Sequence, residues 1–390
     1  MNGSAPKVSI LDQVAGCCLL HRGGEADVYG IATAGSEFVL KWYGKDVCYD
    51  KTVVEKLERL NLQGLYRIRE SGSRENIPYL VYDFIQGVDS ATVLPMPVPV
   101  ALGLLREIAQ TLNALEKNGV HHGDLNPSNV ILCRTGKDLH TVLIDCGIVG
   151  PGALAFAAPE RFQGKGANTK SDLFSLGMLL FRWVSGRDLL ETSGYDDMAA
   201  KSASIDQVDV TEILYGIGLC SAQELSALEP LWKSLLRVAP DSRAEDFDEL
   251  DELLEIALAS LGMGAVSLST AVQKYAESVY SEKMGRKFPR NVSDGEKVPL
   301  PYKKAALRSK KSGLKFVVLG LFGLILVICA LLALVRNESP DIDATGNLLL
   351  EKSRSLETAP ERPEQVQPVL ESIPLNELGD LPTPAENDLP

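Results

Sequence analysis

The sequence predicts an α+β fold in which a small β-rich lobe precedes a larger helical lobe, and one transmembrane helix follows. Three observations support this prediction. Strand-like segments crowd residues 1–90, segments with helical spacing dominate the chain up to residue 262, and twenty uncharged residues occupy 316–335. The chain of 390 residues is 45% hydrophobic and 23% charged, which is close to the globular average and excludes a wholly disordered or collagen-like protein.

The β-rich lobe is predicted from short apolar segments of strand length. Residues 14–20, 38–42 and 79–84 are the candidate strands. Between the last two, residues 51–60 carry valine and leucine three and four positions apart, which predicts a helix with one apolar face.

The helical lobe is predicted from longer segments with apolar residues at helical spacing. These segments are residues 102–117, 171–184, 222–238 and 247–261. A further candidate helix, residues 265–281, begins the segment 263–315, which then becomes a linker rich in Lys, Pro, Gly and Ser.

A transmembrane helix is predicted over residues 316–335. This run carries no charge and lies between Lys315 and Arg336. At 1.5 Å per residue it is about 30 Å long, which matches the hydrocarbon core of a bilayer. A buried core helix is the alternative, although such helices seldom run this long without a polar residue.

The charges on either side of that run predict its orientation. Residues 281–315 contain eleven Lys and Arg against three Asp and Glu, whereas residues 337–390 contain three against twelve. The positive-inside rule then places residues 1–315 in the cytoplasm and the tail outside. The basic linker can also contact anionic lipid headgroups. Eight prolines and no aromatic residue predict that the tail, 337–390, is disordered.

Composition also excludes some classes of protein. The net charge of −13 argues against a general nucleic-acid binder, which usually has a basic surface. The seven cysteines are scattered and form no Cys-x-x-Cys pair, so the sequence indicates neither a disulfide framework nor a zinc site. Reduced cytoplasmic thiols are the expectation.

One polar segment carries the residue types that phosphoryl transfer needs. It contains His122, Asp124, Asn126 and Asn129, and Asp145 follows sixteen residues after Asn129 at the end of an apolar strand. An aspartate in a tight loop can orient an attacking hydroxyl or accept its proton. The carbonyl oxygen of the later asparagine and the second aspartate can bind a Mg²⁺ ion that bridges nucleotide phosphates.

Two upstream features fit the same chemistry. Lys41 ends the apolar segment 38–41, and an ammonium on a strand can pair with phosphate oxygens. Gly23 and Gly24 form a turn that can fold over a nucleotide.

In this order the motifs resemble those of the eukaryotic-like (Hanks-type) serine/threonine protein kinases, in a divergent, bacterial membrane-anchored form. The resemblance runs from about residue 14 to 262 and implies a bilobal protein-kinase-like fold, with an N-lobe at about 14–86 and a C-lobe at about 87–262. Two further motifs carry it, Ala158-Pro159-Glu160 and the helix that begins with Ser171-Asp172.

The resemblance implies a role for each candidate residue. The residues expected at the ATP site are Gly23, Gly24, Val28, Lys41, Glu55, Asp83 and Ile85. Among them, Glu55 is expected to form an ion pair with Lys41, and Glu58 is the alternative partner. Those expected to act in catalysis are Asp124 and Asn126, and those expected to bind metal are Asn129 and Asp145. Structural roles are implied for His122, Asp172 and the ion pair of Glu160 with Arg243.

Several positions depart from the family pattern. Asn126 stands where the family has a lysine, and Ala153 stands where it has the threonine that bonds this lysine, so that contact is expected to be absent as a unit. Gly123 stands where the family usually has an arginine that pairs with a phosphate on the activation loop. Residues 145–160 contain no Ser, Thr or Tyr that could be phosphorylated. We therefore expect activity to be regulated by something other than phosphorylation of this segment. Cys146 replaces a phenylalanine and is interpreted as a small packed residue.

The resemblance implies transfer of the γ-phosphoryl group of ATP, with Mg²⁺ or alternatively Mn²⁺, to a Ser or Thr hydroxyl of a protein substrate in signalling. Two alternatives stay open. Asn126 and Gly123 favour a weak or inactive pseudokinase acting as a nucleotide-binding membrane scaffold, and the His-Gly-Asp loop also occurs in small-molecule phosphotransferases. The expected partners are a protein substrate and membrane lipid, without nucleic acid, and the expected location is a bacterial inner membrane.

Overall fold

The computed structural model describes residues 8–47, 49–146, 153–191, 194–282 and 300–301, all within the first of two compact units, residues 1–319. The predicted transmembrane run 316–335, the tail and most of the basic linker lie outside the described residues. Among the described residues, no single helix has both the length and the apolar character required to cross a membrane. One pair of helical segments, Pro240–Ser260 and Ala265–Tyr280, has the required length and composition when the two are counted together. The two segments are bent by 87° relative to each other.

The first lobe is a five-stranded antiparallel sheet with one helix beside it. Its elements in chain order are β1 (Gly16–Arg22), β2 (Ala26–Ala32), β3 (Glu37–Tyr43), α1 (Lys51–Arg59), β4 (Ile68–Arg74) and β5 (Ile77–Asp83). The strands lie in the order β1-β2-β3-β5-β4. Because side chains alternate along a strand, β2, β3 and β5 each contribute to two hydrophobic clusters, one on each face of the sheet.

Strand β3 shows how this alternation positions functional residues. Leu40 and Trp42 pack in the outer cluster, whereas Tyr43 belongs to the inner cluster that continues through the helical lobe. Lys41 therefore points to the inner face. The outer cluster is completed by Leu300, which is 3% exposed although it is distant in sequence.

The second lobe begins with a small sheet and is otherwise helical. Its elements are β6 (Gly87–Asp89), α2 (Val98–Glu116), β7 (Val130–Thr135), β8 (Asp138–Leu143), α3 (Pro159–Phe162), α4 (Thr169–Ser185), α5 (Tyr195–Ser202), α6 (Val210–Ile217), α7 (Ala222–Leu235), α8 (Phe247–Ser260) and α9 (Ala265–Glu282). Strands β6, β7 and β8 form an antiparallel sheet in that order.

Helix α4 is the centre of this lobe. Fourteen of its seventeen residues are buried, as expected for a helix surrounded by other elements on all sides. A capping box between Asn168 and Ser171 begins the helix, and Gly186 ends it with a φ of 72°, a conformation that glycine adopts readily. A rigid α4 gives Asp172, in its first turn, a fixed position.

The bilobal α+β architecture expected from the sequence is confirmed. The predicted helices correspond to α1, α2, α4, α7, α8 and α9, with ends that differ by at most four residues. Strand β4, with the sequence Ile-Arg-Glu-Ser-Gly-Ser-Arg, was not predicted because it lacks regular alternation of apolar residues, as edge strands often do. The domain boundaries at 14–262 and 263–315 stay predictions.

Candidate active site

The loop between α2 and β7 is fixed by a buried carboxylate on α4. Asp172 is 1% exposed, and its two oxygens accept hydrogen bonds from the backbone N–H groups of His122 and Gly123, each at a distance of 2.8 Å. Burial raises the pKa of Asp172 to about 6, and the two N–H donors offset part of that rise. Because both oxygens bind the same short segment, Asp172 holds the loop backbone in one conformation.

His122 braces the same loop from inside. Its buried ring places Nε2 3.0 Å from the carbonyl oxygen of Ile144, and Nδ1 accepts the backbone N–H of Asp124 over 3.3 Å. Burial lowers the pKa of His122, so we assign a neutral ring with its proton on Nε2. With both ring nitrogens engaged by the backbone, His122 is a structural residue, as the sequence suggested.

Amide groups surround the carboxylate of Asp124. Asn129 donates Nδ2 to Oδ2 over 2.8 Å, and Asn126 donates Nδ2 to Oδ1 over 3.1 Å. Both amides also donate to the backbone carbonyl oxygen of Asp124, over 2.8 and 3.1 Å. These contacts set the orientation of the carboxylate that is expected to face an attacking hydroxyl.

A third donor to Asp124 comes from the segment before α3. The backbone N–H of Ala153 donates a hydrogen bond to Oδ1 of Asp124 at a distance of 2.6 Å. The lysine–threonine contact of the family is absent, as expected from Asn126 and Ala153. The two segments are nevertheless joined, because an asparagine amide and a backbone N–H occupy Oδ1 instead.

Lys41 of β3 and Asp145 beyond β8 meet between the lobes. The distance from Nζ to Oδ1 is 2.8 Å, and the two side chains are 17% and 30% exposed. Val28 of β2 lies directly opposite Lys41 in the sheet register. Asp145 has a φ of 60°, which non-glycine residues rarely adopt and which is often found at functional sites.

Glu55 does not reach Lys41. It is exposed on α1, and within the described ranges neither it nor the alternative, Glu58, forms an ion pair. The reason is the direction in which α1 faces, since its buried residues are Val54 and Leu57. The predicted partnership of Lys41 with Glu55 is therefore replaced by the pair of Lys41 with Asp145.

The glycine turn that joins β1 and β2 is short and tightly closed. The N–H of Gly23 donates to the carbonyl oxygen of Ala26 over 3.0 Å, and a Cβ at Gly23 would lie 2.7 Å from that oxygen. Gly24 has no heavy atom within 4 Å of a Cβ built on it. Of the two glycines, only Gly23 is required by space, and Val28 already belongs to β2.

Two of the residues expected at the ATP site lie at the junction of the lobes. Asp83 ends β5, and Ile85 follows two positions later, half-buried. Arg69 donates Nε to Oδ1 of Asp83 over 2.6 Å. A cavity of about 1030 Å³ lies beside this ion pair, and neither Lys41 nor Asp145 lines it.

The expected ion pair between Glu160 of α3 and Arg243 forms in the core of the helical lobe. Nη1 and Nη2 donate to the two carboxylate oxygens over 2.7 and 2.8 Å, and the side chains are 0% and 3% exposed. The guanidinium also lies 5.0 Å from the ring centroid of Phe174. Such a bidentate buried pair fixes α3, and with it the segment that contains Ala153, on the lobe.

Cys146 is packed rather than reactive. It is 3% exposed, and its Sγ lies 3.8 Å from the carbonyl oxygen of His121. Burial raises the pKa of the Cys146 thiol, which keeps it protonated at neutral pH. This agrees with its interpretation as a small core residue.

The oxygen atoms near Asp124 suit a magnesium ion bound together with nucleotide. Asn129 donates through Nδ2, which leaves Oδ1 for a cation, and Lys41 contacts one oxygen of Asp145. Mg²⁺ commonly uses one or two such side chains and completes its shell with water and phosphates. Among the residues whose positions are described, no group of three or more His, Cys, Asp or Glu is arranged to hold a metal.

Sequence reasoning missed Tyr43, which lies against Lys41. Its ring centroid is 5.5 Å from Nζ of Lys41, and the side chain is 2% exposed. The signal was the alternation along β3, because Tyr43 follows Lys41 by two positions and shares its face.

Comparison with known proteins identifies one family. The protein kinase domain family matches residues 22–254. The serine/threonine-protein kinase PkaA of Streptomyces coelicolor is 32% identical over 190 residues, which are 42% of this chain and 34% of PkaA. Kinase pkn2 of Myxococcus xanthus is 29% identical over 43% of this chain and 24% of its own length. Kinase PknE of Mycobacterium tuberculosis is 26% identical over 48% of this chain and 37% of its own length. The chain thus spans little more than a third of these relatives at most.

Two solved structures show the same fold. A double mutant of the Mycobacterium tuberculosis PknI kinase domain has a TM-score of 0.52 and 19% identity, and the match covers 65% of this chain and 99% of that one. Rad53 1–466 in complex with AMP-PNP has a TM-score of 0.53 and 20% identity, covering 66% and 67%. At these identities the likeness concerns the fold alone.

Proposed function

The chain belongs to the protein kinase family, and on this basis we propose that it transfers the γ-phosphoryl group of ATP to a Ser or Thr hydroxyl of a protein. The observation that carries the proposal is the arrangement around Asp124. Its carboxylate is held by Asn129, while Lys41 meets Asp145 over 2.8 Å at the junction of the lobes. These contacts support roles for Asp124 as the catalytic carboxylate, for Asn129 and Asp145 as metal ligands and for Lys41 as the phosphate-binding cation.

In this proposal each residue has one task. Asp124 accepts a hydrogen bond from the substrate hydroxyl and receives its proton as that oxygen bonds to the γ-phosphorus, while the bond from the γ-phosphorus to the bridging oxygen breaks and ADP leaves. Lys41 turns from Asp145 toward the phosphate oxygens and holds them. Asn129 and Asp145 would hold Mg²⁺, and the ion would supply positive charge beside the phosphoryl group. Gly23 and Gly24 allow the turn to cover the phosphates closely.

We expect the enzyme to be slow. Asn126 donates a neutral hydrogen bond to Asp124, whereas the lysine usual at this position places a positive charge near the phosphoryl group. Removal of one preorganised charge stabiliser typically costs about 10²–10³ in rate. The same observation favours the second candidate function, a pseudokinase that binds nucleotide and acts as a scaffold.

We further propose that the chain is anchored in a membrane by residues 316–335 and acts in signalling. The uncharged length of this run and its basic N-terminal flank support the anchor, with residues 1–315 in the cytoplasm. Fractionation of cells that produce the full chain tests this part. Extraction by high salt or alkaline carbonate, without detergent, would contradict it.

Radiolabel transfer tests the proposed chemistry. Full-length protein in detergent is incubated with γ-labelled ATP, Mg²⁺ and a basic protein acceptor, in parallel with Asp124→Asn. Label that depends on Asp124 and is recovered as phosphoserine or phosphothreonine supports the kinase. Nucleotide binding with no label above the Asp124→Asn background supports the pseudokinase. Label transferred only to a small molecule, in a parallel assay that supplies metabolites as acceptors, supports a small-molecule phosphotransferase.

A further inference from the structure

Lys41 is not paired with Glu55, the glutamate that was expected to be its partner. Successive residues of an α-helix are about 100° apart around its axis, so Glu55 lies about 100° from Val54 and about 160° from Leu57. Val54 and Leu57 are 1% and 3% exposed and define the buried face of α1. Glu55 therefore points outward, where it borders a cavity of about 500 Å³ together with Lys45 and Lys51.

Helix α1 is tied to the helical lobe near its C-terminal end. Lys56 donates Nζ to the carbonyl oxygen of Gly119 at a distance of 2.8 Å. The first turn is capped by Asp50, whose side chain accepts the N–H groups of Thr52 and Val53 at 2.8 and 3.3 Å. A rotation that brought Glu55 to Lys41 would break the contact of Lys56 with Gly119 and would expose the buried side chains of Val54 and Leu57.

The ring of Tyr43, rather than Glu55, lies beside Lys41. Nζ of Lys41 lies 5.5 Å from the ring centroid, within the range of a cation–π contact. The ring is itself fixed, because Tyr43 is 2% exposed and packs against the ring of Tyr49 at a centroid distance of 5.8 Å. The hydroxyl of Tyr43 neighbours the buried hydroxyl of Tyr82. The part of Tyr43 that contacts Lys41 is therefore the ring.

We propose that Tyr43 is the positioning residue of Lys41, acting with Asp145, and that Glu55 has no part in placing this cation. When Lys41 leaves Asp145 for the phosphates of a nucleotide, the face of Tyr43 still holds the ammonium inside the site. A desolvated aromatic face does this without adding a second negative charge beside Asp145 and the phosphates. This inference rests on the proposed function, since it concerns the cation that binds the nucleotide.

Two measurements on the full chain test the inference. The first is the dissociation constant for ATP with Mg²⁺. Tyr43→Leu removes the ring and should raise that constant by about 5- to 30-fold, the worth of a desolvated cation–π contact. Tyr43→Phe keeps the ring and should stay within about twofold of the wild type, as should Glu55→Gln and its neighbour control Glu58→Gln.

The second measurement needs no nucleotide and so remains informative if the proposed function fails. Lys41 is acetylated with a small amine-reactive ester, and its labelling rate is followed by mass spectrometry against exposed Lys45. We expect faster labelling of Lys41 in Tyr43→Leu and unchanged labelling in Tyr43→Phe and Glu55→Gln. Faster labelling or weaker ATP binding in Glu55→Gln overturns the inference, whether or not Tyr43→Leu folds. It is also overturned if Tyr43→Leu lowers Tm but changes neither readout.

Discussion

The backbone N–H of Ala153 donates to Oδ1 of Asp124 over 2.6 Å. This contact joins the loop that carries Asp124, the proposed catalytic carboxylate, to the segment that leads into α3. Asn126 donates to the same oxygen over 3.1 Å. A backbone N–H and a neutral amide therefore orient Asp124, at the two positions where the resemblance to the protein kinases implies a threonine and a lysine.

Truncating Asn126 tests how much this orientation matters. Asn126→Ala removes one donor to Asp124 and should lower kcat by about tenfold, the worth of one hydrogen bond, while KM for ATP stays nearly constant. Steady-state phosphate transfer gives both constants. Asn118→Ala removes an exposed asparagine that bonds only within the end of α2 and should change neither constant. A change in KM alone would show that Asn126 serves nucleotide binding instead.

The glycine turn offers a matched pair of variants. A Cβ at Gly23 would lie 2.7 Å from the carbonyl oxygen of Ala26, whereas one at Gly24 would meet nothing within 4 Å. Gly23→Ala should therefore lower the free energy of unfolding by about 1–3 kcal/mol, and Gly24→Ala by less than about 0.5 kcal/mol. Urea unfolding followed by fluorescence measures both. Equal effects of the two substitutions would mean that the turn closes differently.

The raised pKa of Asp172 predicts a specific dependence of stability on pH. Burial raises this pKa to about 6, so between about pH 4 and pH 6 the folded protein binds the proton more tightly than the unfolded chain. The contribution of Asp172 to the free energy of unfolding therefore falls as pH rises through this range, by about 3 kcal/mol in all. The difference between wild type and Asp172→Asn isolates it. A difference that is flat or that rises with pH would contradict the assignment.

The buried pair of Glu160 and Arg243 should be far more sensitive to truncation than an exposed pair. Arg243→Met leaves the carboxylate of Glu160 buried without its partner and should cost about 3–5 kcal/mol of unfolding free energy. Lys233→Met breaks the exposed pair with Glu229, whose side chains are 64% and 46% exposed, and should cost less than about 1 kcal/mol. Comparable losses in the two variants would show that the buried pair contributes little.

Much of this site could be predicted from the sequence because chemistry restricts the residue types. Asp124, Asn129 and Asp145 are the groups that hydroxyl orientation and Mg²⁺ binding require, and the apolar segment 38–41 places Lys41 on a strand. The orientation of Glu55 was also present in the pattern, since the apolar residues of α1 define the opposite face. The local periodicity of α1 therefore indicates an outward Glu55, whereas the resemblance implies an inward one.

Other features had no signal in the sequence. The bond from Ala153 to Asp124 uses a backbone N–H, which every residue except proline carries, so no side chain marks it. The burial of Leu300 against the outer face of the first sheet depends on a contact between distant parts of the chain. Neither local propensity nor spacing reports such a contact.

The central claim is that Asp124 acts in phosphoryl transfer while Lys41 and Asp145 bind the nucleotide with its metal. The most direct test measures Mg²⁺-dependent ATP binding and γ-phosphoryl transfer on the same full-length preparations of wild type, Asp124→Asn and Asp145→Asn. We predict that Asp124→Asn binds ATP within about twofold of the wild type and transfers no label, because Asp124 contacts the substrate hydroxyl. Asp145→Asn should lose both. Transfer that persists in Asp124→Asn would contradict the account.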